Sequence, residues 1–226
     1  MRRIVKAAAP AGFNAWRASH PGACYEDLAD EGKDSAQAAL CADQGHLCAY
    51  CQSRIEPTGD RMRVEHWVAQ TDDASRDLEW KNLLGVCPGK TPLPPDAPQP
   101  VGRKRRQADE HCDRRRGHRT LNLHPAADPD VAQRFHYHAD GRIEGTDEAA
   151  SKDIEVLNLK HPRLMRNRSA VFERLRQKLG PHGPWSAVEL RRQLEQWRTP
   201  REGRLPEFTG VAEYHLERWL RKAGGR

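Results

Sequence analysis

The chain has 226 residues, and no run of apolar residues within it approaches the ~20 needed to cross a bilayer, which excludes a membrane-spanning helix. Nor does the amino terminus make a secretory signal: Met1-Arg2-Arg3-Ile4-Val5-Lys6 carries positive charge, but Lys6 and Pro10 interrupt any apolar centre. Internal repeats and coiled-coil heptads are missing too. Apolar residues make up only 37% of the chain and aromatics 6%, with a mean hydropathy of −0.91. Such a chain can fold as one domain of ordinary size, or as a small core with appended segments, but it has little apolar surface to spare. A metal staple would therefore be structurally useful. The expectation is a cytoplasmic protein with no membrane partner and reduced thiols, in which paired cysteines more often bind metal than each other.

What the chain does have is positive charge, unevenly placed. The net charge is +6 and the isoelectric point is near 9.1. Arg103, Lys104, Arg105 and Arg106 form one run, and Arg114, Arg115 and Arg116 with Arg119 form another. The two runs bracket Cys112. Either could be solvated loop surface, but both flanking one candidate site suits a phosphate backbone, whose neutralisation releases counterions and drives binding without sequence preference.

The chain divides into three stretches. Residues 1–45 read as mainly helical from Phe13 to about Gln44, with a weak apolar stripe through Leu28, Ala36 and Leu40 interrupted around Gly32. Residues 46–125 hold the candidate chemistry. There Gly45 leads into a Cys48–Cys51 knuckle, and Arg61 to Val68 alternates as a strand. Trp80, Leu83 and Leu84 mark a short helical or irregular packed segment, and a helix begins near Asp113. Residues 88–102 are a Pro-rich surface insertion. In residues 126–226 a hairpin turns at Asp140-Gly141, followed by amphipathic helical patterns whose tryptophans 185, 197 and 219 suit helix packing. The helices after Pro162 are assigned to partner contact.

Cys48 and Cys51 have the spacing by which one turn presents two thiolates to one ion, and Cys87 and Cys112 can complete a tetrahedral zinc site. The last two are neighbours only if the Pro-rich loop returns on itself, which costs ~1 kcal/mol more than closing a very short loop. His111 competes as the fourth ligand, while Cys24 and Cys41 are left over. Between the two pairs lie Glu65 and His66, and Asp113 follows Cys112 directly. An imidazole that titrates near neutrality can take a proton from water, and two carboxylates can hold a hard divalent ion where thiolates select zinc.

Cys-x-x-Cys, Glu65-His66, Asn82 and Cys112-Asp113 resemble the HNH endonucleases of the ββα-metal fold, in the variety whose hairpin and helix are tied by four cysteines. More specific stretches are Asp43 to Ile55, Trp80-Lys81-Asn82-Leu83-Leu84, His111-Cys112-Asp113, and Leu157-Asn158-Leu159 followed by Leu164 and Arg166. With Met1 to Lys6, these are similar to the PtuB family, the HNH subunits of Septu anti-phage systems and of related retron defence systems. The resemblance touches most of residues 1–170.

It implies an α+β fold with a zinc-stapled ββα-metal core, flanked by N-terminal and C-terminal helices. It also implies roles. His66 would be the general base, Glu65 and Asp113 would hold a catalytic Mg²⁺ or Mn²⁺, and Asn82 would pin the loop that carries His66. The implied partners are nucleic acid, DNA in the first place, a PtuA-like ABC-type ATPase, and in retrons a reverse transcriptase with its DNA–RNA product. Three departures stand out: Asp113 stands where the general motif has Asn or His, Arg116-Gly117 replaces a more usual Lys-Gly, and a long insertion separates Cys87 from Cys112. The competing expectation is a zinc-stabilised scaffold that binds nucleic acid or the ATPase without cutting. It needs the cysteines but no base.

Overall fold

The computed structural model describes residues 1–90, 109–180 and 184–224. The fold is α+β, made of helices around two small antiparallel sheets. Among the described residues no helix is long and apolar enough to cross a membrane. The insertion from residue 91 onward, with Arg103 to Arg106, lies outside the described residues.

Helices α1 (Ala11–Ser19) and α2 (Asp30–Asp43) make the first layer. In α1, Phe13 is buried and its ring tilts against Trp80 at 5.5 Å. Asp30 and Glu31 in the first turn of α2 complement the positive end of the helix dipole. The break between the two helices falls at Pro21-Gly22, and Gly32 lies inside α2, where the interrupted stripe had suggested a break. Gly32 serves close approach instead: a Cβ there would come within 2.8 Å of the Leu28 side chain.

Strand β1 (Arg63–His66) pairs antiparallel with β2 (Leu83–Val86), setting Glu65 opposite Leu84 and His66 opposite Leu83. Residues 83–86 thus form a strand, entered through a single 3₁₀ turn at Trp80–Asn82, where a helical or irregular segment was expected. All four β2 residues are buried, so the strand has no polar alternation by which to be recognised. The Gln44 side chain extends the pairing: its Nε2 donates to the Gly85 carbonyl at 2.7 Å and its Oε1 accepts from the Gly85 N–H at 2.7 Å.

After β2 the chain leaves for the insertion and returns beside its point of departure. Lys90 bridges Glu110, and the His111 N–H donates to the Gly89 carbonyl at 3.0 Å. Gly89 sits at φ +69°, and a Cβ would fall 1.7 Å from the His111 carbonyl oxygen, so only glycine admits this return. Helix α3 (Cys112–Arg116) follows at once.

The hairpin of β3 (Phe135–Tyr137) and β4 (Ile143–Gly145) turns at Asp140-Gly141, as the sequence predicts. Four helices complete the chain: α4 (Glu148–Val156), α5 (Pro162–Leu179), α6 (Ala187–Arg198) and α7 (Thr209–Gly224). Side chains of Asp147, His161 and Ser186 cap α4, α5 and α6. The apolar faces of the last three helices are spent internally: Leu175, Leu190, Leu194, Trp197, Val211 and Leu216 are all buried in the core. Arg54 and Gln52, next to the cysteine knuckle, bind this layer directly. Arg54 Nη2 donates to the Leu205 carbonyl at 2.6 Å, and Gln52 Oε1 accepts from the Gly210 N–H at 2.7 Å.

Candidate metal centre and active site

Three elements deliver the four cysteines. Cys48 and Cys51 sit on a tight loop closed by a Leu47–Arg54 bridge and by a 3.0 Å bond from the Gln52 N–H to the Cys48 carbonyl. Cys87 follows β2 directly, and Cys112 opens α3. All four are buried, and their sulfurs lie within 4.8 Å of one another. Cys48 and Cys112 sulfurs are 4.0 Å apart, and those of Cys51 and Cys87 3.7 Å. A tetrahedron with zinc–sulfur distances of ~2.3 Å has edges of ~3.8 Å, so the spacing fits zinc. Hydrogen bonds from Cys112, Cys48 and Cys87 hold the Cys51 thiol well below its ordinary range, whereas burial pushes Cys112 well above it. His111 lies just outside the four, with its Nδ1 3.3 Å from the Cys112 sulfur and 3.8 Å from that of Cys87.

Glu65 and His66 diverge, as consecutive strand residues do. Glu65 is buried and faces α3. Its Oε1 accepts from the Tyr50 hydroxyl at 3.2 Å and is paired with Arg116, and its carboxyl group also hydrogen-bonds that of Asp113. Burial raises Glu65 to about 7, against the pull of Arg116 and with a further push from Asp113. Burial likewise raises Asp113, partly offset by its hydrogen bond with Glu65.

His66 faces Tyr25 and Asp77. Its Nε2 is 2.7 Å from Asp77 Oδ1 and 3.0 Å from the Asp77 carbonyl oxygen, and the Tyr25 ring meets it edge-on at 5.7 Å. Glu65 therefore shares its surroundings with Asp113, and His66 shares its own with Asp77.

Asn82 is fully buried. Its Oδ1 accepts from the Val68 N–H at 2.8 Å, and its Nδ2 donates to the carbonyls of Val68 at 3.2 Å and Arg76 at 3.1 Å. One side chain thus ties both ends of the loop that follows His66.

Arg116 differs from the expected phosphate contact. It is 2% exposed. Besides Glu65 it donates to the carbonyls of His66 at 2.9 Å and Trp67 at 2.5 Å, so it fastens α3 to β1 and has no face for a ligand. The reason is helical spacing: Asp113 and Arg116, three apart, turn toward β1 together. Arg114 remains exposed, 3.8 Å from Glu110, and Arg115 is half-buried. Arg119 is exposed but spends its guanidinium on the carbonyls of Arg116 and, at 2.7 Å, Val156.

Sequence reasoning missed Tyr50 and Asp77. Tyr50 stands between the knuckle cysteines, a hydroxyl in a metal loop, and could have been suspected there. Asp77 lies eleven residues beyond His66, with no spacing that links the two.

No protein-family model matches the chain. Over 100 residues it is 29% identical to a protein of Escherichia coli provisionally named as the HNH endonuclease of retron Ec83. The match covers 40% of this chain and 39% of that protein, so the chain spans about two fifths of the length of the relative it matches. The four-cysteine cluster is compatible with a structural zinc site.

Proposed function

We propose that this chain is a metal-dependent HNH endonuclease that hydrolyses phosphodiester bonds of DNA. The observation that carries the reading is the meeting of the Glu65 and Asp113 carboxyl groups between β1 and α3, inside a frame set by four cysteines. In this reading β1, β2 and α3 are the ββα-metal core, and zinc on Cys48, Cys51, Cys87 and Cys112 fixes the angle between ribbon and helix.

A buried and a half-buried carboxyl group that act on one another fit a hard divalent ion, which would relieve their mutual repulsion. Glu65 and Asp113 would hold Mg²⁺ or Mn²⁺, which supplies positive charge for the scissile phosphate and the leaving 3′ oxygen. His66 takes a proton from the attacking water as the water oxygen bonds phosphorus. The bond from phosphorus to the 3′ oxygen breaks, and that oxygen is protonated from solvent. Asn82 holds the loop behind His66. Arg114 and Arg115 contact the phosphate backbone, a role that the sequence alone also gives to Arg103 to Arg106, and such contacts add little sequence preference.

The resemblance to PtuB, together with the retron named in the relative, supports a wider setting. There the chain is the cytoplasmic effector nuclease of an anti-phage complex with a PtuA-like ABC-type ATPase and, in a retron, a reverse transcriptase with its DNA–RNA product. One observation favours the second reading, a zinc-stabilised scaffold that does not cut: Arg116 already balances Glu65.

Plasmid cleavage with Mg²⁺ or Mn²⁺, with and without the ATPase, separates the two readings when wild type runs beside His66→Ala and zinc is quantified in both. The nuclease reading expects cleavage by wild type and a loss of about 10²- to 10⁴-fold in the variant at equal zinc. Absence of cutting by wild type with the ATPase present leaves the scaffold. Loss of zinc from His66→Ala would make His66 structural.

A further inference from the structure

Two acceptors meet one nitrogen at His66. Nε2 lies 2.7 Å from Asp77 Oδ1 and 3.0 Å from the Asp77 carbonyl oxygen. A backbone carbonyl cannot donate, so Nε2 must carry the hydrogen, and in the neutral ring Nδ1 holds the lone pair. We propose that Asp77 is a positioning residue that holds His66 in its Nε2–H tautomer, so that Nδ1 is the atom that takes the proton from water. This rests on the reading of His66 as general base and names the atom and the partner through which it works.

Asp77 is itself held on both oxygens. It is 4% exposed, Oδ2 accepts from the Tyr25 N–H, and Oδ1 accepts from Gln70 Nε2 at 2.6 Å as well as from His66. Each hydrogen-bond partner of that carboxylate is a donor, while the Glu26 carboxyl group lies beside it and shares Gln70. An amide in place of Asp77 must turn its NH₂ against one of those donors, toward Tyr25 or toward His66 and Gln70, so Asn is no neutral substitute for Asp here.

The separation between Asp77 and His66 is fixed by Asn82. Its contacts with Val68 and with the Arg76 carbonyl clamp residues two beyond His66 and one before Asp77. The loop from Trp67 to Arg76 is thereby closed at both ends, and the imidazole is left with one rotamer and one tautomer. Asn82 and Asp77 form a single support, the first setting the distance and the second setting the proton.

The test uses the zinc-loaded full chain under whatever conditions give cleavage, with the ATPase if cutting needs it. Histidine ¹⁵N–¹H correlation spectra of wild type, with the His66 signals identified by their loss in His66→Ala, should show the Nε2–H pattern. Asp77→Asn should lower kcat by about 10- to 100-fold with unchanged KM for DNA and unchanged zinc, and shift the His66 signals toward the other tautomer. Asp77→Glu, which keeps a carboxylate, should recover part of kcat.

An Nδ1–H pattern in wild type overturns the proposal without any variant. So does an Asp77→Asn protein that cuts at the wild-type rate while His66→Ala is dead, and this leaves the general-base reading intact. If His66→Ala cuts like wild type, the general-base reading falls and the role of Asp77 falls with it.

Discussion

The region around the four cysteines and the layer formed by α5, α6 and α7 face the same shortage of apolar surface and meet it differently. The first is built from strands of four residues and a helix of five, elements too short to hold their shape alone. It is fastened by convergent thiols, by the Gln44 amide on Gly85, and by buried Arg116 bridging Glu65 and two carbonyls. The second has helices of 18, 12 and 16 residues, long enough for continuous apolar stripes. They are joined by rings, with Trp185 on Trp219 at 4.5 Å and Phe172 on His215 at 4.8 Å. The candidate chemistry sits in the region that cannot stabilise itself by burial. Buried carboxylates cost folding energy, and the same metal and cation that offset that cost also fix their geometry.

The largest expected effect breaks the first region alone. Structural zinc contributes about 10–16 kcal/mol in small zinc domains, as much as or more than the whole stability of an ordinary domain. Chelation, or Cys48→Ser, should therefore unfold the cysteine-bound core, lower zinc content and lower solubility. Circular dichroism then decides how separate the regions are. Helicity that persists would make α5 to α7 a unit of their own, and its complete loss would mean that the Arg54–Leu205 and Gln52–Gly210 bonds couple the two. A Cys48→Ser protein with full zinc and normal solubility would refute the zinc frame.

Next comes Arg116→Ala, which leaves Glu65 and Asp113 without their buried cation. Breaking a buried ion pair from one side costs about 3–5 kcal/mol, to be read by denaturant titration at constant zinc. A surface phosphate contact would cost almost nothing in stability and would weaken DNA binding, so this variant also decides what Arg116 does. In the helical layer the counterpart is Leu216→Ala, a buried truncation expected to cost about 2–5 kcal/mol while zinc content and cleavage stay at wild-type levels. Lost cleavage would show that the helices do more than support the core.

The same contrast explains what could be read in advance. The cysteines were legible because ligand spacing is a local signal, as were the Asp140-Gly141 turn and the periodic late helices. Strand β2 was not, since a strand buried on both faces loses its alternation. Arg116 looks like Arg114 and Arg115 in the sequence; only its three-residue spacing from Asp113, combined with a partner on β1, sets it apart. Asp77 reaches His66 through a loop whose shape depends on Asn82, and no pairwise spacing encodes that.

The smallest effect concerns His215, which brings acid sensitivity into a layer whose core is largely apolar. It is buried against Phe172 and Trp219, and its Nε2 has no hydrogen-bond partner among the described residues. Burial, with help from Arg218 and His138, lowers its pKa from 6.5 to about 4. A histidine held neutral in the folded state binds fewer protons there than in the unfolded chain. Its contribution is full above pH 6.5 and is lost as pH falls toward 4, on the order of 2 kcal/mol between pH 6.5 and 5. Zinc is also released by acid, so the quantity to measure is the difference between wild type and His215→Phe at each pH, in which the common zinc contribution cancels. The wild type should lose stability faster below pH 6.5. Parallel curves would mean that His215 reaches water when it protonates and adds no acid sensitivity to the helical layer.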